Sequence, residues 1–213
     1  MNVKWEHVGP GDIEKRSFEI IGNELEAPLD PRYASIVKRV IHTTADFSFA
    51  EAMAFSEGVV EKALAALRGG ASIVTDTTMA MAGINKRRLA GYGGQVHCFI
   101  GDADVAEAAR ANGTTRSAAA MDKAARLGGN IIYALGNAPT ALGRVCEQIA
   151  RGEVAPALVI GVPVGFVNVV ESKELLIATP VPYIVARGRK GGSNVAAAIC
   201  NALLYLINEG EGA

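Results

Sequence analysis

The sequence predicts an α/β protein: a single domain over residues 1–213, three layers deep, with a mostly parallel central sheet of about five strands and helices on both faces. Three observations carry that expectation. Short apolar, β-branched runs recur along the chain, segments of helical period separate them, and the runs are apolar throughout instead of alternating. An alternating strand has one wet face, whereas a strand that is apolar at every position is covered on both, as in a parallel sheet between two helical layers.

The elements follow in order. Residues 12–26 read as a helix opened by Asp12, with Ile13, Phe18, Ile21 and Leu25 on one side and Arg16 and Ser17 near another. Asp30-Pro31 reads as an N-cap followed by proline at the first helical position, and Ile36, Val37, Val40 and Ile41 give the helix over 31–42 an apolar face. An Ala-rich helical pattern over 49–67 closes at Arg68-Gly69-Gly70. Strands are expected at 71–75, 95–100, 131–135, 157–162 and 183–186. Helices are expected at 85–89, 102–111, 115–127, 140–151, 169–177 and 193–207. The connecting loops differ from unit to unit and no low-complexity linker interrupts them, so the chain is neither a repeat array nor two domains.

Composition narrows the function classes. Half of the residues are hydrophobic and 6% aromatic, enough at 213 residues for one well-filled core. Lys plus Arg number 21 against 22 Asp plus Glu, a net charge of −1, so no overall field favours nucleic acid or an anionic membrane surface. An anionic ligand must then be held by local basic groups. The N-terminus has no apolar signal core and no later run reaches about 18 apolar residues, so a cytoplasmic protein with no membrane partner is expected. Cys98, Cys146 and Cys200 are odd in number and far apart, which fits reduced thiols, not a disulfide framework or zinc site. Neither a metal nor another cofactor is expected: no His, Cys, Asp and Glu spacing forms a metal cage, and Gly91-Tyr92-Gly93 has no third glycine at position 96. The 188–193 segment likewise lacks the Gly-Lys-Ser/Thr ending of a phosphate-binding loop.

In an open parallel sheet, ligands bind beyond the carboxyl ends of the strands. Those positions hold Asp76-Thr77-Thr78-Met79, Gly136-Asn137-Ala138-Pro139-Thr140, Gly161-Val162-Pro163-Val164-Gly165-Phe166 and Arg187-Gly188-Arg189-Lys190-Gly191-Gly192-Ser193-Asn194. Three of the four are glycine-containing turns feeding a helix N-terminus, where free N–H groups favour anionic oxygens. Arg187, Arg189 and Lys190, with Arg16, Arg39 and Arg116 elsewhere, are candidate carboxylate partners. His42 follows an apolar helical face and is flanked by Thr43, Thr44 and Asp46. An imidazole, with an unperturbed pKa of roughly 6.5, both gives and takes a proton near neutrality. The plainer reading of His42 is a buried histidine satisfied by a backbone carbonyl. His7 and His97 are read as structural.

Taken together, Ile13-Glu14-Lys15-Arg16-Ser17-Phe18, Arg39-Val40-Ile41-His42-Thr43-Thr44-Ala45-Asp46, Thr75-Asp76-Thr77-Thr78-Met79 and Thr115-Arg116-Ser117-Ala118 form a specific set with the three glycine turns and Glu171-Ser172-Lys173. On this set the whole chain resembles the precorrin-8X methylmutase (precorrin isomerase) family and its cobalt-precorrin-8 counterpart. The resemblance implies an isomerase of corrinoid (vitamin B12) biosynthesis that moves a methyl group from C11 to C12 without a cofactor. It would convert precorrin-8X to hydrogenobyrinic acid, or cobalt-precorrin-8 to cobyrinic acid. It further implies that His42 is the proton donor and acceptor and that Arg16 and Arg39 bind substrate. The remaining substrate contacts it suggests are Ser17, Thr43, Asp46, Asp76, Thr77, Met79, Thr115, Arg116, Ser117, Gly136, Asn137, Ala138 and Lys173. To these it adds Pro163, Val164, Gly165 and Phe166 from one loop and Arg189, Lys190, Gly191, Gly192 and Ser193 from another. A homodimer with the site near the subunit interface is also implied. A non-catalytic carrier or sequestering protein for the same pigment would use the same fold and loops.

Overall fold

In a computed structural model, which describes residues 5–209, the chain begins with α1 (Ile13–Glu24), α2 (Ala34–Thr44), the short α3 (Phe49–Ala52) and β1 (Met53–Phe55). There follow α4 (Val59–Arg68), β2 (Ser72–Thr75), α5 (Thr78–Gly83), α6 (Lys86–Gly91), β3 (Val96–His97), α7 (Ala103–Ala111) and α8 (Arg116–Ala124), the last extended by a 3₁₀ turn (Ala125–Leu127). The second half adds β4 (Ile131–Leu135), α9 (Pro139–Ala150), β5 (Leu158–Gly161), α10 (Val169–Ile177), β6 (Tyr183–Ala186) and α11 (Ser193–Glu209).

The six strands form one sheet in the order β1-β6-β5-β4-β2-β3, parallel except for β1. Successive strand residues face two different cores. Ile73, Ile132, Ala134, Ile160, Ile184 and Ala186 pack with α2, α4 and α11, whereas Val74, Tyr133, Leu135, Val159 and Val185 pack with α7, α8, α9 and α10. Period-2 alternation therefore decides only which core a residue enters, and the strands read as unbroken apolar runs. Among the described residues, no helix is long and apolar enough to cross a membrane.

Three expected elements differ. The helix predicted over 31–42 begins instead at Ala34. The Asp30 carboxylate accepts the Arg32 backbone N–H at 2.9 Å and the Tyr33 N–H donates to the Asp30 carbonyl at 3.0 Å, so Asp30-Pro31 makes a turn ahead of the helix. The single helix expected over 49–67 is broken into α3, β1 and α4, adding a sixth strand to the five expected. Met53, Ala54 and Phe55 pair antiparallel with Ala186, Val185 and Ile184, and the Phe55 ring stacks on Tyr33 at 4.1 Å. An open edge of β6 offers these three residues partners that outweigh their helical neighbours' propensity. The strand expected over 95–100 shrinks to Val96–His97, the two residues opposite Ile73 and Val74 of β2.

Candidate functional site

Strand order reverses between β2 and β4, the point at which sheets of this kind open a crevice for ligand. Here a side chain of the protein fills it. Asp76, 1% exposed, accepts the backbone N–H groups of Gly136, Asn137 and Ala138 at 3.0, 2.8 and 2.7 Å. Burial pushes its carboxyl above the usual carboxylate range against the opposing pull of those three N–H groups. The N–H groups ahead of α9, expected to face a ligand anion, are thus satisfied internally, and Asp76 is a strut of the site and not a surface open to substrate. Beside it, the Thr77 hydroxyl caps α5 by accepting the Ala80 N–H at 3.1 Å and lies 2.8 Å from the Ser193 hydroxyl at the start of α11. Gly136 is required by close approach: a Cβ there would stand 2.5 Å from the Gly192 carbonyl oxygen.

The β6–α11 loop is held on its inner side by the β5–α10 segment. Gly192 N–H donates to the Val162 carbonyl at 2.9 Å and Gly165 N–H to the Arg189 carbonyl at 3.2 Å. A side chain at Gly191 would meet the Val162 carbonyl oxygen at 2.1 Å. Lys173 of α10 is fully buried, and its Nζ donates to the carbonyls of Gly188 and Lys190 at 2.8 Å each. Burial pushes its ammonium down to about 8. Lys173, expected as a substrate contact, has its amine covered by the loop it supports. Arg189 points outward over the Phe166 ring at 5.4 Å, and Met79, Val164, Phe166 and Val167 leave apolar surface exposed along this edge.

From the outer side of the same loop, Lys190 Nζ reaches Asp46 Oδ2 and Ser48 Oγ, both at 2.6 Å. The hydrogen bond from Lys190, followed by that from Ser48, holds the Asp46 carboxyl below its ordinary range. Asp46 lies just past α2, which ends where Ala45 turns left-handed at φ 52° and returns its N–H to the Ile41 carbonyl at 2.7 Å. His42 stands in that last turn and is exposed, which decides against a buried structural histidine. Its ring meets Phe18 edge-on at 5.9 Å. Thr44, which flanks His42 in sequence, donates to the Val40 carbonyl at 2.8 Å, while Asp46 is turned to Lys190 and Ser48. Around the imidazole lies a cavity of about 220 Å³ lined by Ser17, Ile20, Ile21, Glu24, Ile41, Ala45 and Phe47.

Phe18 also lines a larger cavity of about 790 Å³, together with Glu14, Lys15, Lys38, Arg39, Arg88 and Tyr205. Arg39 is 12% exposed in its side chain, pairs bidentately with Glu14 at 2.6 and 3.0 Å, and lies over the rings of Phe18 and Tyr205 at 5.4 and 4.4 Å. Those guanidinium hydrogen bonds hold Glu14 below the usual carboxylate range. Arg16 is paired with Glu6 at 2.7 Å and Glu19 at 3.6 Å.

The contacts thus join Asp76, Thr77, Ser193, Gly136, Gly192, Lys190, Asp46 and the turn bearing His42. They do not reach Thr115, Arg116 and Ser117. Thr115 caps α8 and donates to the Thr140 hydroxyl at 2.9 Å beside a separate groove of about 570 Å³ lined also by Asp122, Arg144 and Asn168. Among the described residues, no group of three or more His, Cys, Asp and Glu is arranged to hold a metal ion. Sequence reasoning missed Ser48, Phe18, Glu14 and Tyr205 as site members. Asp46-Phe47-Ser48 does carry a signal, a side-chain-to-backbone turn in which Ser48 N–H donates to Asp46 Oδ1 at 3.0 Å. Nothing in the local sequence brings Tyr205 to Arg39.

Residues 12–206 match the family model described as precorrin-8X methylmutase. The chain is 50% identical over 207 residues to a cobalt-precorrin-8 methylmutase of Salmonella typhimurium, covering 94% of this chain and 97% of that protein. It is 40% identical over 195 residues to a precorrin-8X methylmutase of Pseudomonas aeruginosa, with 90% and 93% covered. The crystal structure of precorrin-8X methylmutase from Thermus thermophilus superposes with a TM-score of 0.85 at 40% identity, covering 93% of this chain and 98% of that one.

Proposed function

This chain belongs to the precorrin-8X methylmutase family and is an isomerase of corrin biosynthesis, and from that premise we propose that it moves a methyl group from C11 to C12 of precorrin-8X or cobalt-precorrin-8, with His42 as the proton-transferring group. The products would be hydrogenobyrinic and cobyrinic acid respectively. A methyl shift between adjacent ring carbons develops little charge of its own. The protein's contribution is to protonate the macrocycle so that migration is favoured, then to recover the proton from the product. One imidazole performs both acts.

The observation that carries this reading is an exposed imidazole at the rim of an apolar cavity, with a cationic loop fixed to the same turn. The substrate's acetate and propionate arms pair with Arg16, Arg39 and Arg189, exchanging with Glu6 at Arg16 and with Glu14 at Arg39. Met79, Val164 and Phe166 offer apolar surface to the ring. The family resemblance supports a cytoplasmic homodimer as the working form, and Thr115, Arg116 and Ser117, which stand apart from His42 within one chain, would serve substrate from a separate face.

The test is to incubate desalted protein with purified precorrin-8X, and in parallel with cobalt-precorrin-8, and to record the visible spectrum. Conversion of one chromophore to the differently conjugated product, without additions, is expected. A stoichiometric complex with unaltered pigment would instead make the protein a carrier.

A further inference from the structure

Three consecutive carbonyls of the β6–α11 loop are held by the β5–α10 segment. Lys173 Nζ takes those of Gly188 and Lys190, and the Gly165 N–H takes that of Arg189. Lys173 forms no ion pair among the described residues, so a fully buried amine serves backbone carbonyls alone. Such an amine is costly to bury, and what offsets the cost is the pair of carbonyls it satisfies. What it supplies is direction. With Gly188 and Lys190 pinned inward, the Lys190 side chain is delivered to Asp46 and Ser48, four and six residues beyond His42.

We propose that Lys173 is a positioning residue for His42, acting through the β6–α11 loop and Lys190 upon the turn that ends α2. The inference rests on the reading of His42 as the proton-transferring group. The chain has three histidines, so the His42 ring signals in a histidine-labelled protein can be assigned by their loss in His42→Ala. Lys173→Met should shift or broaden those signals in the ligand-free protein, leave the His97 signals in place, and lower turnover at saturating substrate by on the order of tenfold or more, as small misplacements of catalytic groups do. Lys173→Gln keeps two N–H donors without the charge, and should bring both readouts back toward the parent. A folded Lys173→Met protein with unmoved His42 signals and parental turnover overturns the proposal. So does a Gln variant that departs as far as Met, because the effect would then belong to the lost charge. If Lys173→Met does not fold, Lys190→Met cuts the same strut at its exposed end, and unchanged His42 signals there overturn the proposal equally. Normal turnover by His42→Ala would remove the catalytic reading, while the ring signals would still decide whether the strut exists.

Discussion

A buried ammonium without a carboxylate leaves a signature in the pH dependence of stability. The Lys173 ammonium is lowered from 10.5 to about 8 by burial. Below pH 8 the folded and unfolded chains both carry its proton. Between pH 8 and 10.5 the folded chain has released it and the unfolded chain has not, so the unfolded state binds more protons and stability rises with pH across that window. The full effect is on the order of a few kcal/mol. Denaturant unfolding of the parent and of Lys173→Met at pH 7.5 and at pH 10 isolates it, because other titrating groups cancel in the difference. The parent should gain on the variant toward high pH, and parallel profiles would show that Lys173 is not desolvated as described.

Among the elements, the turn between β4 and α9 is organised by a side chain from another strand's loop. Burial outweighs the hydrogen bonds in setting the Asp76 carboxyl, so its negative charge is not the source of stability. The stabilisation lies in satisfying three N–H groups that face away from water. Asp76→Ala leaves all three without an acceptor and should cost about 3 to 5 kcal/mol in urea unfolding, the range for breaking one partner of a buried polar cluster. Asp76→Asn keeps one oxygen and should lose distinctly less. An Ala variant within about 1 kcal/mol of the parent would mean that water replaces the carboxylate. At this scale the sequence was legible wherever an element is set by its own pattern: β4, α10 and β6 lie where their apolar runs place them. It was not legible where pairing decides, since Met53–Phe55 becomes a strand only because β6 has an open edge.

For the molecule as a whole, the apolar runs and glycine turns identify a parallel sheet and the edge that carries the loops, and the motifs identify the family. They do not disclose which polar groups are already satisfied within the fold. Asp76 and Lys173 are among the contacts that the family resemblance suggests, yet one bonds the N–H groups at the strand reversal and the other lies beneath a loop. Arg39 is likewise engaged within the fold, by Glu14. His42 is the opposite case, legible as a residue at the end of an apolar helical face and exposed where that face ends. Whether it performs the chemistry is decided by separating binding from turnover in one variant. His42→Ala, which removes an exposed ring, should fold, bind the corrin product within about tenfold of the parent, roughly 1.4 kcal/mol, and lose about 10² to 10⁴ in turnover. A folded His42→Ala protein that isomerises its substrate at a near-parental rate would contradict the account.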